Sequence, residues 1–313
     1  MRAMAMTDYE SGISLHELPK PEPAPNELLV RVRASSVNRI DVLVAGGALK
    51  GMLVYEFPVV PGRDFAGTVD GVDSDVSRFR VGDEVFGWLN KPTLHDGAWA
   101  EYATVPEDGF VARKPDGLDF TEAAALPLAG VTALVAVDEV DPQAGDTVLV
   151  VGADGGVGSY AVQLAAGRGA TVLATAKPGD EPRLRALGAA ETIDYTQQDV
   201  ADAVRERHRN GISALIDVVD EAEGFARLVE LVREGGRAAS SMQAVPADPL
   251  GGVAATNVVA SAEVSVMARL AELAAKGDVR PAIDVVLTLD ETPAAIERFA
   301  AGKRGKIVIS IAG

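Results

Sequence analysis

The stretch Leu149-Val-Val-Gly-Ala-Asp-Gly-Gly-Val-Gly-Ser-Tyr-Ala-Val-Gln-Leu-Ala165 decides how the chain is read. It opens on an apolar strand and closes on a helix, with glycines at 152, 155, 156 and 158 between them. Glycines let backbone N–H groups come close to a ligand, and the helix N-terminus that follows favours negative charge there. Outward from this turn the rhythm repeats. "DTVLVVG" leads into "VGSYAVQLAAGRG", "TVLATA" into "PRLRALG", and "ALIDVVD" into "GFARLVELVREGG", before "RAASSM" and "TNVVAS". Short apolar strands alternating with amphipathic helices predict a parallel, doubly wound sheet and an α/β fold.

In the dinucleotide frame, Ala153-x-Gly155-x-x-Gly158 is G-x-G-x-x-G with alanine in first place. Gly152, Ala153, Gly155, Gly156, Val157 and Gly158 are then the expected pyrophosphate cradle, in the strand-turn-helix context such a motif requires. The alternative is a tight turn that holds nothing. Asp154 would repel an adjacent anion, so it is expected to point outward. An NAD site places an acid at the end of the second strand, but this chain reads Thr175-Ala176-Lys177, with no acid before Asp180. A cation there favours a 2′-phosphate and hence NADPH, although a loop lysine is commonly just solvated. Tyr195 is a second candidate for that phosphate and Arg183 a weaker one. Ser240 and Ser241, after the fifth strand, fall at the carboxyl edge where such folds bind ligands.

Before this region the text is different. "ELLVRVRASSVN", "FAGTVDGV", "VGDEVFGW" and "AEYATVP" are strand-like runs punctuated by Pro and Gly, which predicts a compact β-rich domain. "PKPEPAPNE" reads as a surface loop. After position 261 come a helix, "DVVLTL", the short helix "TPAAIERFAAG" and a closing strand "KIVISI". The 313 residues are long for a single core, so two domains are expected. The expected boundaries are 1–118, completed by 262–313, and 119–261.

The 46 acidic against 29 basic side chains give a net charge of −17, which argues against nucleic acid or an anionic membrane as partner. The longest apolar run, Ala123–Val137, is short of a bilayer span, contains Pro127, and reads as buried helix and turn. The chain has no cysteine, which removes disulfides, thiolate nucleophiles and cysteine-ligated zinc. With no secretory h-region after Met1, a cytoplasmic location is the default expectation.

Several stretches in order, "ELLVRVRASSVNRID", "PVVPGRDFAGTV", "VGDEVFG", "GAWAEYATVP", "EAAALPLAGVTAL", "GADGGVGSYAVQLA", "LRALGAAETIDY" and "GKRGKIVI", resemble the medium-chain dehydrogenase/reductase superfamily. Within it, they resemble the zinc-independent quinone oxidoreductase, or zeta-crystallin-like, branch. The resemblance implies a GroES-like catalytic domain beside a Rossmann cofactor domain, an active site in the cleft between them, and a homodimer. Zinc-dependent relatives carry Gly-His-Glu where this chain reads Gly62-Arg63-Asp64, and His16, His95 and His208 are far apart, so no metal is expected.

What the resemblance implies for chemistry is NADPH-dependent reduction of a quinone or an activated alkene. Asn38 would sit near the nicotinamide and the substrate oxygen, Asp41 would hold that loop, and Thr132 would approach the nicotinamide. Many relatives place an aromatic residue after the Asn-Asp pair, but here Val42, Leu43 and Val44 follow, which leaves Tyr55 as a candidate proton donor. Arg63 is a candidate for an anionic group or for a salt bridge to Asp41 or Asp64. Two other readings stay open: an enoyl-thioester reductase, and a non-catalytic NADPH-binding protein of crystallin type.

Overall fold

A computed structural model describes residues 1–247, 250–260 and 264–311. The chain divides into two compact units. The first joins Met1–Leu128 to Ala262–Ala275 and Pro281–Gly313, and the second joins Ala129–Ser261 to Lys276–Arg280. Residues 119–128 go with the first unit, because the helix Phe120–Ala125 packs on the strands Glu27–Val37 and Asp64–Val72. That helix starts on a reciprocal cap in which Asp119 accepts from the Glu122 N–H and Glu122 accepts from the Asp119 N–H.

The first unit is built on a mixed sheet centred on Glu27–Val37. From edge to edge the strands run Ile283–Thr288, Lys306–Ser310, Glu27–Val37, Asp64–Val72, Glu84–Trp88 and Val111–Arg113, and Tyr102–Pro106 also pairs with the central strand. Phe65, Trp99, Val30, Ile307 and Ile309 pack in one apolar core. Register decides where the polar residues meet. Val37 lies opposite Ile307 and Ser35 opposite Phe65, so Asn38, Asp64 and Lys306 arrive at one corner of the sheet.

In the second unit all pairings in the main sheet are parallel. Its spatial order is Glu191–Asp194, Thr171–Ala176, Thr147–Val151, Ile212–Asp217, Val232–Ser240, Ala254–Asn257, which is the dinucleotide-binding order 3-2-1-4-5-6. The expected helix "GFARLVELVREGG" is shorter than its pattern: it ends at Val229, and Val232 already pairs with Ile212. A bulge between Ile212 and Ala214 takes up the Gly235-Gly236 pair, which is a poor continuation for a helix. The apolar run Ala123–Val137 falls in two helices, Phe120–Ala125 and Pro127–Val140, interrupted at Leu126, with Pro127 opening the second. Among the described residues no helix is long and apolar enough to cross a membrane.

Candidate active site

The glycine-rich turn leaves the strand Thr147–Val151 and enters the helix Gly156–Gly167 with Gly155 as its N-cap. The residue with a left-handed backbone is Gly152, at φ +78°, one place before the Ala153 that heads the sequence frame. A Cβ on Gly152 would lie 2.3 Å from the Val219 side chain, and one on Gly158 would lie 2.1 Å from the Gly152 carbonyl oxygen. The absence of a Cβ at both places lets the helix, the turn and the segment after the strand Ile212–Asp217 lie this close together. The Gly152 N–H is spent on Thr175 Oγ1 at 2.9 Å, and the Gly155 N–H on the Gly152 carbonyl at 3.0 Å. The helix's first turn carries no acidic residue, so its leading amides and dipole are suited to an anion.

Asp154 does not point outward as its charge predicted. It is 9% exposed. Burial and the charge of Asp180 push its pKa up, while the charges of Lys177 and Arg183 oppose them. Arg183 donates through Nη2 to the Asp154 carbonyl at 3.1 Å, and its buried Nε and Nη1 have no hydrogen-bond partner. Beside this group lies a cavity of about 350 Å³ lined by Gly152, Asp154, Thr175, Tyr195, Val219 and Asp220, among others. Lys177 is half-buried just past the end of the second strand, and Tyr195 is 42% exposed. Ser240 is buried and accepts from the Met242 N–H, whereas Ser241 donates its N–H to the Asp217 carbonyl at 3.1 Å. Thr132 is half-buried in the helix Pro127–Val140.

Asp217 ends the fourth strand of this sheet. Its Oδ1 accepts from the N–H groups of Val219 and Asp220, and its Oδ2 is buried without a partner. Burial, with the charge of Asp220, pushes its pKa up to about 7. These residues fit a dinucleotide on three counts: an anion-ready turn, orphaned guanidinium nitrogens beside it, and a cavity of adenosine size next to both.

In the first unit, the sheet corner holds a buried polar cluster. The Asp64 carboxylate, 0% exposed, accepts through Oδ2 from Ser36 Oγ at 2.6 Å, Asn38 Nδ2 at 2.8 Å and Lys306 Nζ at 3.3 Å, and through Oδ1 from the Leu128 N–H at 2.9 Å. Lys306 Nζ also donates to Asn38 Oδ1 at 2.5 Å. Asp41 bridges the Asn38 N–H at 2.8 Å and the Arg63 N–H at 2.9 Å, and so ties the helix Arg39–Ala45 to the segment that leads into Asp64. Burial, reinforced by the Asp64 charge and opposed by the Asn38 N–H, Lys306 and Arg63, pushes the Asp41 pKa up to about 7.

The candidates outside that cluster are placed differently. Tyr55 packs against Tyr9 and Phe57, with its hydroxyl donating to the Val44 carbonyl at 3.4 Å. The Arg63 guanidinium turns to the Leu89 carbonyl and Asn90 Oδ1. Among the described residues no group of three or more His, Asp or Glu is arranged to hold a metal ion. Sequence reasoning missed the parts played by Asp64 and Lys306. The one signal for them was a charged residue heading each of two otherwise apolar strands, in "DFAGTV" and "KIVIS".

Residues 24–116 match the alcohol dehydrogenase GroES-like domain family, and residues 187–309 match the zinc-binding dehydrogenase family. The chain is 33% identical to 2-methylene-furan-3-one reductase of Solanum lycopersicum over 99% of its own length and 79% of that protein. It is also 33% identical to the chloroplastic NADPH-dependent alkenal/one oxidoreductase of Arabidopsis thaliana, over 91% of this chain and 72% of that one. The solved structure of the quinone oxidoreductase from Coxiella burnetii superposes with a TM-score of 0.87 at 30% identity, covering 100% of this chain and 99% of the other. With a GroES-like region, a parallel sheet in dinucleotide-binding order and these relatives, the chain belongs to the medium-chain dehydrogenase/reductase superfamily of oxidoreductases, in its quinone oxidoreductase branch.

Proposed function

We propose that this protein is an NADPH-dependent reductase of quinones or enones that needs no metal ion. The observation that carries the reading is the donor set at the sheet corner. Asn38, Lys306 and Ser36 are hydrogen-bond donors, and both carboxylates already spend lone pairs on protein N–H or ammonium groups. Such a set lacks the thiolates and imidazoles that hold a Lewis-acidic zinc. It suits an acceptor that spreads the incoming charge over a conjugated phenolate or enolate, where one fixed donor and solvent suffice.

NADPH, when bound, supplies the hydride. The turn Gly152–Gly158 and the helix that follows would hold its pyrophosphate, with Thr132, Ser240 and Ser241 toward its nicotinamide half. Lys177, Arg183 and Tyr195 would take the 2′-phosphate. The orphaned Arg183 nitrogens support that choice, because they ask for an acceptor that NADH lacks. Asn38 would donate to the acceptor oxygen as charge builds on it. A hydride, which carries both electrons, would pass to the substrate, and a proton from solvent would complete the reduced product; Tyr55 is the residue candidate for delivering it.

The test is nicotinamide absorbance with chelator-treated protein, a para-quinone and an enone as acceptors, and NADPH and NADH in parallel. Faster consumption of NADPH is expected with at least one acceptor. Turnover with an enoyl thioester alone, or nucleotide binding with no turnover, would overturn the reading.

A further inference from the structure

The first unit buries the lysine of that donor set, and its partners define what it can do there. Lys306 is 2% exposed, and its ammonium faces three acceptors: Asn38 Oδ1 at 2.5 Å, Asp64 Oδ2 at 3.3 Å and the Val37 carbonyl at 3.4 Å. An ammonium has three N–H donors and no lone pair, so Lys306 is saturated and is not itself a substrate contact. Its consequence falls on Asn38. The atom of a carboxamide that meets an ammonium has to be the oxygen, which settles which way the Asn38 side chain is turned.

The remaining inventory of Asn38 is short. One Nδ2 hydrogen goes to Asp64, the backbone N–H goes to Asp41, and Oδ1 is taken by Lys306. That leaves a single amide N–H on a residue that is 9% exposed. A cation on the amide oxygen draws electron density away from nitrogen and strengthens that last donor, more so in the low dielectric of a buried corner. A buried charge pair is a poor device for stability alone, since an apolar pair of similar volume often does as well.

We propose that Lys306 is a positioning residue that orients and polarises the Asn38 carboxamide, so that its remaining N–H is the donor to the acceptor oxygen. The inference rests on the reductase reading above. The interaction is weak with a neutral ketone or quinone oxygen and strong with the oxyanion that forms, which is the differential that speeds a reaction.

The experiment compares wild type, Lys306→Met, Asn38→Ala and the double variant, using NADPH with the quinone and with enones graded in electron demand. Lys306→Met should lower kcat about tenfold to a hundredfold, with the larger losses on the least activated enones. KM and NADPH affinity should change little, and the double variant should be no slower than Asn38→Ala. As a readout without turnover, 4-nitrophenol in the presence of NADP⁺ should bind to wild type as its coloured anion, about tenfold more tightly than to Lys306→Met. Because loss of the lysine strands a buried Asp64, a Lys306→Met/Asp64→Asn variant repeats every measurement if the single one fails to fold. Losses that add to those of Asn38→Ala, that track the melting temperature and NADPH affinity, or that ignore acceptor demand would overturn the proposal while leaving the reductase reading in place. No turnover by wild type on any acceptor would overturn the reading, and the role of Lys306 with it.

Discussion

The turn at Gly152–Gly158 is made by backbone within one short stretch, whereas the corner at Asn38, Asp64 and Lys306 is made by side chains from three distant places in the chain. The first leaves side chains out, so that amides and a helix dipole suit an anion. The second works by packing charges in until nearly every donor and acceptor is committed. A backbone site tolerates change in its surroundings but not in its glycines. A side-chain network tolerates no unpaired loss, because each deletion strands a buried partner.

Gly158→Val puts that contrast to its most severe trial. The new Cβ meets the Gly152 carbonyl at 2.1 Å, which is backbone and cannot swing away. A loss of NADPH affinity of about 3 kcal/mol, a hundredfold or more, is expected by calorimetric titration. Retained affinity would show that the turn is not the nucleotide cradle. Asn38→Ala tests the other region: kcat should fall about a hundredfold while NADPH affinity, which the proposal assigns to the second unit, stays put. A matched loss of affinity would dissolve the division of labour.

Smaller effects sharpen the second unit's own chemistry. Lys177→Ala with Arg183→Ala should cut the preference for NADPH over NADH about tenfold, measured as the ratio of dissociation constants. Asp154→Asn should act in the opposite direction and tighten NADPH by about threefold, because it removes a carboxylate that competes with the phosphate for the same two cations. An unchanged ratio in both variants would remove these residues from cofactor choice.

A further effect is on stability against pH. Asp41 and Asp217 are both pushed up to about 7 from a usual value of 3.8, so the folded protein keeps protons that the unfolded chain has released. Between about pH 4 and 7 the unfolded state therefore binds fewer protons, and stability declines as pH rises through that window. Melting curves from pH 4 to 8 should show the decline, with a shallower slope in Asp41→Asn. Stability that rises over the same range would contradict the burial of these carboxyls in ionisable form.

Much of the second unit was legible in the sequence, because strand-helix alternation and glycine spacing are local signals that survive in one dimension. Even there, two particulars were not. The positive-φ glycine is Gly152 rather than the frame's first position, and Asp154 is buried, with Lys177 and Arg183 near enough to lower its pKa, a neighbourhood that depends on where the next strand ends. The sheet corner was harder. Asn38 and Asp41 were picked out by resemblance, but their hydrogen bonds to Asp64 and Arg63 need strand pairing, and the bond from Lys306 follows from antiparallel register across 268 residues of chain. Lys306 looked like an ordinary charged residue before an apolar strand. Its bonds to Asn38, Asp64 and the Val37 carbonyl hold it in place.

The most direct test of hydride transfer to a conjugated acceptor uses NADPH carrying deuterium at the transferable C4 position, with an enone as substrate. One deuterium at the β-carbon of the saturated product, located by mass spectrometry and NMR, is the expected result. Product without the label, or label on a carbinol carbon from simple carbonyl reduction, would contradict it.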